Sequence, residues 1–473
     1  MANECKTLEI CRERGAAVVG LGISNRPLLE FLLARGIKVT VRDAKPIEDE
    51  AALVSRGVRV ITEEDYLSGF GDEVIFRTPG IRPDAGELSS AVRRGAVLSS
   101  EMELFYEMTP ARTVGITGSD GKTTTTTITH KLLSLAGEGS EGKVWLGGNI
   151  GAPLLPEVEK MTSADIAVTE LSSFQLMTMK KAPEVAAITN ITPNHLNWHT
   201  GMDEYRNAKY NILGSGCVTA VLNYGCGDTR EAASLTGADI IFFSAKREIP
   251  RGLDAVYLKD GVITLRRGGE EIPIIAREKI KLPGTHNVEN YMTAAALSSA
   301  LLSPDALVSA MERLAPEFGG VEHRLEFVRE LDGITYYNGS IDSTPTRTAA
   351  ALSALPDRKI SLICGGYDKH IPMRPLAEAI SAHGGVVSVT LTGATSELMA
   401  DAFADFRGAL PPFEIIGDFE EAVISASENA KRLYADTVLL SPAAASFDRF
   451  KNFEERGRFY KSIVNGLAGE DEE

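Results

Sequence analysis

The run Gly115-Ile116-Thr117-Gly118-Ser119-Asp120-Gly121-Lys122-Thr123 lies between a short apolar strand and a helix. Small residues let successive backbone N–H groups converge on phosphate oxygens, and a helix N-terminus adds partial positive charge. In such a loop Lys122 reaches the outer phosphates and the Thr123 hydroxyl can ligate magnesium. Where the usual pattern has its first glycine this chain has Ile116, with Gly115 one residue earlier, so the loop is a variant. A turn that merely joins strand to helix is the alternative; the Gly-Lys-Thr ending favours ATP or GTP. The expected nucleotide contacts are Gly118, Ser119, Asp120, Gly121, Lys122, Thr123 and Thr124.

A second glycine turn stands in AAVVGLGISNRPLLEFLLARG. Gly20 and Gly22 fit the first two glycines of a dinucleotide fingerprint, Asn25 takes the third position, and Asp43 ends the next strand where a ribose-binding acid would stand. The same turn would equally cradle the diphosphate of a UDP-sugar, or serve only as a bend. All three readings stay open on these residues alone.

These residues need a scaffold, and the sequence supplies an alternating one. AAVVGLG, PLLEFLLARG, KVTVRD and EVIFRTPG give the βαβ rhythm of a parallel sheet covered by helices. A new series begins at ARTVGITGSDGKTTT and continues through DIAVTE, VAAITN and VTAVLN. After Gly319-Gly320 a third runs through LEFVREL, ITYYNGS, KISLICGG, VVSVTLTG and TVLLSPAAAS. Three α/β domains are expected, 1–100, 101–320 and 321–473, which suits 473 residues. The threonines from Thr123 to Thr127 are β-branched and need tertiary support, or a ligand, to hold a helix.

Composition narrows the class further. A chain 44% hydrophobic and 24% charged is globular. No apolar stretch is long enough for a membrane span, and MANECKTLEICRERG lacks the pattern of a signal peptide, so a cytoplasmic chain without membrane contact is expected. The five cysteines form no CxxC and are expected to be ordinary thiols. A net charge of -16 disfavours nucleic acid, and any anionic ligand must find local cations.

Taken in order, GLGISN at Gly20, GITGSDGKTTT at Gly115, GGNIG at Gly147, ELSSFQL at Glu170, NITPNHLNWH at Asn190, YRNAKYNI at Tyr205, GTHNVENYMTAAA at Gly284, EHRLE at Glu322, GGYDKHIP at Gly365 and SPAAASFDRFKNFEERG at Ser441 span nearly the whole chain. This series resembles the Mur ligase family of bacterial peptidoglycan synthesis, and its last motif the branch that adds D-glutamate. The resemblance implies a Rossmann-like first domain for a UDP-sugar, a central P-loop ATPase-like domain and a Rossmann-like third domain for the amino acid.

It also implies roles for individual residues. Glu170, His195 and Lys209 resemble the family's catalytic metal-holding groups, with Thr123 as a further ligand, Lys209 carrying a carbamate and two Mg2+ ions bound. Asn149, Asn287, Asn290, His323 and Arg324 resemble nucleotide contacts, with the ATP base expected between the middle and third domains. Ser343, Lys369, Ser446 and Phe453 resemble the grip on the carboxylates of D-glutamate. For the UDP end the candidates are Ser24, Asn25, Asp43 and the Thr78-Pro79-Gly80 turn. Three positions depart from the family pattern that the resemblance implies: Asn194 and Asn197 stand where acids are common, and Gly339 where an acid is usual, with Asp342, three residues on, either its substitute or simply a solvated loop acid.

The implied activity is ATP-dependent ligation of D-glutamate to UDP-N-acetylmuramoyl-L-alanine through an acyl phosphate, releasing ADP and phosphate, by a monomer. The alternatives are another Mur-type amino-acid ligase, a nicotinamide oxidoreductase using the Gly20 turn, and a non-catalytic, nucleotide-gated muropeptide-binding protein.

Overall fold

The computed structural model describes residues 5–71, 73–196, 198–282 and 284–469, so Asn197 lies outside the described residues. Two compact units are present, 1–317 and 318–473. The first holds two sheets. Strands β1 (Ala16–Val19), β2 (Val39–Asp43), β3 (Arg59–Thr62), β4 (Val74–Arg77) and β5 (Val97–Ser99) form a parallel sheet in the order β3-β2-β1-β4-β5. The order reverses between β1 and β4, so the Gly20 turn after β1 and the Thr78-Pro79-Gly80 turn after β4 flank a topological switch point, where open α/β sheets take ligands.

The second sheet contains β6 (Arg112–Thr117), β7 (Val144–Gly148), β8 (Ile166–Glu170), β9 (Val185–Ile188), β10 (Thr219–Asn223), β11 (Asp239–Ser244), β12 (Ala255–Lys259), β13 (Val262–Arg267) and β14 (Glu270–Ala276). Its order is β14-β13-β12-β11-β10-β9-β6-β8-β7, parallel from β7 to β12 and antiparallel beyond. The phosphate loop leaves β6 between β8, ending in Glu170, and β9, followed by Thr189 and Asn190. Side chains from both sheets join one apolar core, from Val18 and Phe76 through Phe105 to Ile188 and Leu222.

The long helix Lys122–Ala136 carries the threonine run. Thr126, Thr127 and Thr129 turn their hydroxyls back onto the carbonyls of Lys122, Thr123 and Thr125, all at 2.8 Å. That satisfies β-branched polar side chains inside a helix, and Thr125 and Thr129 are fully buried.

The second unit is one sheet of β15 (Glu326–Leu331), β16 (Ile334–Asn338), β17 (Ile360–Cys364), β18 (Val386–Leu391), β19 (Phe413–Ile415) and β20 (Thr437–Leu440) in the order β15-β16-β20-β17-β18-β19. Only β15 is antiparallel to its neighbour. The adjacent strands β16, β20 and β17 release the segments 339–343, 441–446 and 365–369 at one edge. All five cysteines are free thiols, and among the described residues no helix is long and apolar enough to cross a membrane.

Candidate active site

The phosphate loop is held by close backbone approach. Gly118 has φ 150° and Gly121 φ 78°, and a Cβ on Gly118 would collide with the Thr189 hydroxyl, one on Gly121 with the Asn290 amide oxygen. The Ser119 N–H donates to the Asn190 carbonyl at 2.9 Å, the Asp120 N–H to Asn190 Oδ1 at 3.0 Å and the Thr189 hydroxyl to the Asp120 carbonyl at 2.6 Å. Lys122 Nζ donates to the carbonyls of Gly118 and Ser119 at 3.0 and 2.9 Å. Asn290 accepts from Thr125 Oγ1 at 3.1 Å and donates to Asn287 Oδ1 at 3.1 Å, tying the helix Thr285–Ser299 to the loop's own helix.

A cavity of about 130 Å³ opens beside Asp120, Gly121 and Asn290, walled also by Thr189, Asn190, Phe243, His286, Glu289 and Thr293. Sequence reasoning took Asn287 and Asn290 from this helix and missed His286 and Glu289 beside them; the shared motif GTHNVEN was the available signal. Phe243 comes from β11, remote in sequence, and carried none.

Glu170 ends β8 and is 1% exposed. Asn149 Nδ2 donates to its Oε1 at 2.7 Å, while Oε2 is buried without a hydrogen-bond partner. A buried carboxylate oxygen left unpaired is costly, and a magnesium ion, which takes oxygen ligands, fits there. Among the described residues no three His, Cys, Asp or Glu side chains gather into a metal cage. A metal site here therefore needs ligands of other kinds: the Thr123 hydroxyl, phosphate oxygens, water, or a carbamate on Lys209.

Lys209, on the helix Met202–Tyr210, is 1% exposed. Its Nζ donates to the Gly118 carbonyl at 2.7 Å and the Thr117 hydroxyl at 3.3 Å, and lies 4.7 Å from the Tyr205 ring centroid. Burial, reinforced by the charge of Lys122, lowers its pKa well below 10.5, against the opposing pull of Asp120 and Glu170. The neutral amine so favoured is the form that adds to carbon dioxide. His195 sits at φ 54° in the loop after β9 with its ring edge-on to Phe174, centroids 5.0 Å apart. Partial desolvation and the charges of Lys122 and Lys209 lower its pKa, which favours the neutral imidazole a metal requires. Asn194 turns its Oδ1 onto the His195 N–H at 2.8 Å.

At the first sheet Asp43 accepts from the N–H groups of Leu21 and Lys45 at 2.7 and 3.0 Å, so its carboxylate builds the glycine turn. Asn25 Nδ2 donates to the carbonyls of Gly20 and Val19 at 2.8 and 3.3 Å, leaving its buried Oδ1 without a partner. Ser24 precedes the helix Asn25–Leu33 and makes no side-chain cap. Thr78 lies against Gly20, whose φ is 82°.

In the second unit the exposed Lys369 donates through Nζ to Ser343 Oγ at 3.2 Å, and partial desolvation with the charges of Arg347 and Arg456 lowers its pKa. Ser446 is buried. Phe453 opens the helix Phe453–Gly466, its carbonyl taking the Ser340 hydroxyl at 2.8 Å and its ring lying edge-on to His323 at 5.9 Å. His323 is buried at φ 66° with Nδ1 3.0 Å from Asn338 Nδ2 and Nε2 without a hydrogen bond but 3.7 Å from Glu322 Oε1, whereas Arg324 is exposed. Sequence reasoning missed Arg456, whose buried guanidinium donates to the carbonyls of Ser340, Ala444 and Ala445 at 2.8, 3.2 and 2.9 Å, pinning the 441–446 segment. Asp342 is buried, takes the Ser441 hydroxyl at 2.9 Å, and is raised to about 6 by desolvation.

Residues 116–298 match the Mur ligase middle domain and residues 323–444 the Mur ligase glutamate ligase domain. The chain is 44% identical over 475 residues to a UDP-N-acetylmuramoylalanine--D-glutamate ligase of Clostridium novyi, covering 98% of this chain and 99% of that one. It is 42% identical to the protein of the same name from Symbiobacterium thermophilum, covering 96% and 98%. Among solved structures, the UDP-N-acetylmuramate-alanine ligase of Thermotoga maritima has a TM-score of 0.51 at 18% identity over 95% of this chain and 99% of that one. A UDP-N-acetylmuramoyl-L-alanyl-D-glutamate--2,6-diaminopimelate ligase has a TM-score of 0.54 at 17% identity over 85% and 94%. With two of its three sheets matched by family domains and near full-length relatives above 40% identity, the chain belongs to the Mur ligase family.

Proposed function

We propose that the chain joins D-glutamate to UDP-N-acetylmuramoyl-L-alanine, with ATP converted to ADP and phosphate, in peptidoglycan precursor synthesis. The observation that carries the reading is the gathering of the phosphate loop, the half-satisfied Glu170 carboxylate and the buried Lys209 amine at one end of the second sheet. Joining a carboxylate to an amine in water is uphill, so the carboxylate must first be activated. The γ-phosphoryl group passes from ATP to the alanine carboxylate and ADP leaves. The D-glutamate amine then adds to the acyl carbon, the acyl C–O bond to phosphate breaks, and the amine proton passes to solvent.

The residues divide this work. Loop amides from Gly118 to Thr124 and Lys122 hold the phosphates in line. Glu170, His195, Thr123 and the Lys209 carbamate would hold magnesium at two sites. When bound, magnesium screens the charge that develops on the transferring phosphoryl group. Asn149, Asn287, Asn290, His323 and Arg324 serve the nucleotide. Lys369, with Ser343, Ser446 and the Phe453 backbone, supplies the cation and donors a dicarboxylate needs. Ser24, Asn25, the Asp43-braced turn and Thr78-Pro79-Gly80 receive the UDP-sugar. A monomer in the cytoplasm, where its nucleotide substrates are made, without nucleic-acid or membrane partners, suits this chemistry.

The test is phosphate release with ATP, UDP-N-acetylmuramoyl-L-alanine and a panel of amino acids. Release dependent on both the UDP substrate and D-glutamate, and lost in Lys122→Ala, is expected. Release without the amino acid, or undiminished in Lys122→Ala, overturns the reading.

A further inference from the structure

Arg82 follows the Thr78-Pro79-Gly80 turn, and its guanidinium reaches out of the first sheet. It donates to both carboxylate oxygens of Glu204 at 3.0 Å and to the Trp198 carbonyl at 2.7 Å. Trp198 returns its indole N–H to the Gly80 carbonyl at 2.9 Å. Glu204, on the helix that carries Lys209, also accepts the Thr200 N–H at 2.9 Å and faces His199 Nδ1 at 3.2 Å. His199 is buried, stacks on Phe174 with centroids 5.5 Å apart, and meets the Ser173 hydroxyl through Nε2 at 2.9 Å. Ser173 opens the helix Ser173–Leu176, three residues after Glu170.

The chain Arg82–Glu204–His199–Ser173 thus passes through four segments: the turn after β4, the loop bearing His195, the helix bearing Lys209, and the segment after Glu170. We propose that Arg82, Glu204 and His199 are positioning residues that lock the turn receiving the UDP-linked substrate to the groups that hold magnesium. This rests on the ligase reading above. A planar guanidinium matched to two carboxylate oxygens fixes direction as well as distance, so displacement at one end carries to the other. The connectivity Ser–His–Glu is that of a hydrolytic triad. Here Ser173 is 2% and His199 3% exposed, so no reacting carbonyl reaches the hydroxyl, and with Arg82 on both oxygens of Glu204 the assembly acts as a strut.

Steady-state phosphate release by the full chain tests this, with each substrate varied in turn and Tm measured alongside. Glu204→Gln and Arg82→Ala are each expected to raise KM for UDP-N-acetylmuramoyl-L-alanine about tenfold and to lower kcat, while KM for ATP, set at the phosphate loop, stays within about twofold. The double variant is expected to be no worse than the poorer single one, because both break the same link. Arg82→Lys, which can pair with Glu204 but not also span to Trp198, gives an intermediate KM and serves if Glu204→Gln fails to fold. Asp84→Asn weakens only the exposed pairing of Arg82 with Asp84 and leaves all constants near wild type. An unchanged KM for the UDP substrate in Arg82→Ala and Arg82→Lys, an equal rise in KM for ATP, or labelling of Ser173 by a fluorophosphonate overturns the proposal. A wild-type chain without D-glutamate-dependent release overturns the ligase reading instead.

Discussion

Lys209 Nζ donates to the backbone carbonyl of Gly118 at 2.7 Å, which fastens the helix Met202–Tyr210 to the first tight glycine of the phosphate loop. The same carbonyl accepts from Lys122 Nζ at 3.0 Å. Two lysines therefore converge on one oxygen, and their mutual repulsion helps keep the buried Lys209 amine neutral.

Replacing Lys209 with Met keeps the apolar stem and deletes the amine. Gly118 retains a donor in Lys122, so stability is expected to change by no more than about 1 kcal/mol, while activity falls by about a hundredfold or more. Wild-type enzyme prepared without carbon dioxide should regain activity on adding bicarbonate, and Lys209→Met should not. Phosphate release and thermal melts decide the matter; a Met variant near wild-type activity removes Lys209 from the mechanism.

Asn149 fixes the other end of the same site by donating to Glu170 Oε1, so that the unpaired Oε2 is the oxygen left to a cation. Asn149→Ala frees the carboxylate to rotate. Its loss is expected to weaken magnesium activation by about 10- to 100-fold, the usual cost of losing an outer-shell partner, with saturating magnesium recovering much of the rate. A magnesium titration of phosphate release in the variant checks this; an unshifted curve means that Asn149 does not orient the ligand.

Much of this site was legible because it is local. The strand, turn and helix around Gly118 to Thr123 declare themselves within nine residues, and Glu170 and Lys209 stand in recognisable motifs on β8 and on a helix. The partners that hold them were not legible. Thr189 and Asn190 brace the phosphate loop only because β9 lies beside β6, and Arg82 finds Glu204 across 122 residues. Asp43 carries a second part that its position at the end of β2 did not announce: its Oδ2 accepts the Leu21 N–H of the glycine turn, and its Oδ1 the N–H of Lys45 just beyond the strand.

Glu101 gives the protein a pH response remote from the chemistry. It is 4% exposed, its Oε1 accepts the Leu155 N–H at 3.3 Å, and burial raises it from 4.5 to about 7. Between those values the native carboxyl keeps a proton that the unfolded chain has released, so stability falls as pH rises through the window. Glu103, also raised to about 7 by burial, acts in the same direction. Glu101→Gln, which stays neutral at every pH, is expected to gain about 1–3 kcal/mol at pH 8 and little at pH 5. Denaturant unfolding at the two pH values measures the difference, and an equal effect at both means that the native carboxyl does not hold its proton.

Gly339, where the resemblance to the family leads one to expect an acid, has the Asp342 carboxyl directly beside it. A Cβ at Gly339 would lie 2.6 Å from Asp342 Oδ2 and 2.7 Å from the Leu440 carbonyl. The Asp342 carboxyl thus already occupies the space beside the β16 terminus, held there by Ser441. Gly339→Asp alone would crowd two carboxyls together and press on β20, and is expected to cost about 1–3 kcal/mol and to raise KM for ATP. Pairing it with Asp342→Ser removes one carboxyl and its crowding, so the double variant should be more stable and more active than Gly339→Asp, though strain against Leu440 persists. Asp342→Ser by itself, with no acid at either position, should raise KM for ATP in a fully folded protein. Melting curves and ATP titrations of the three variants separate packing from function. If Gly339→Asp is as stable as wild type and binds ATP more tightly, Asp342 is not the substitute, and the glycine has removed a contact that the fold could have kept.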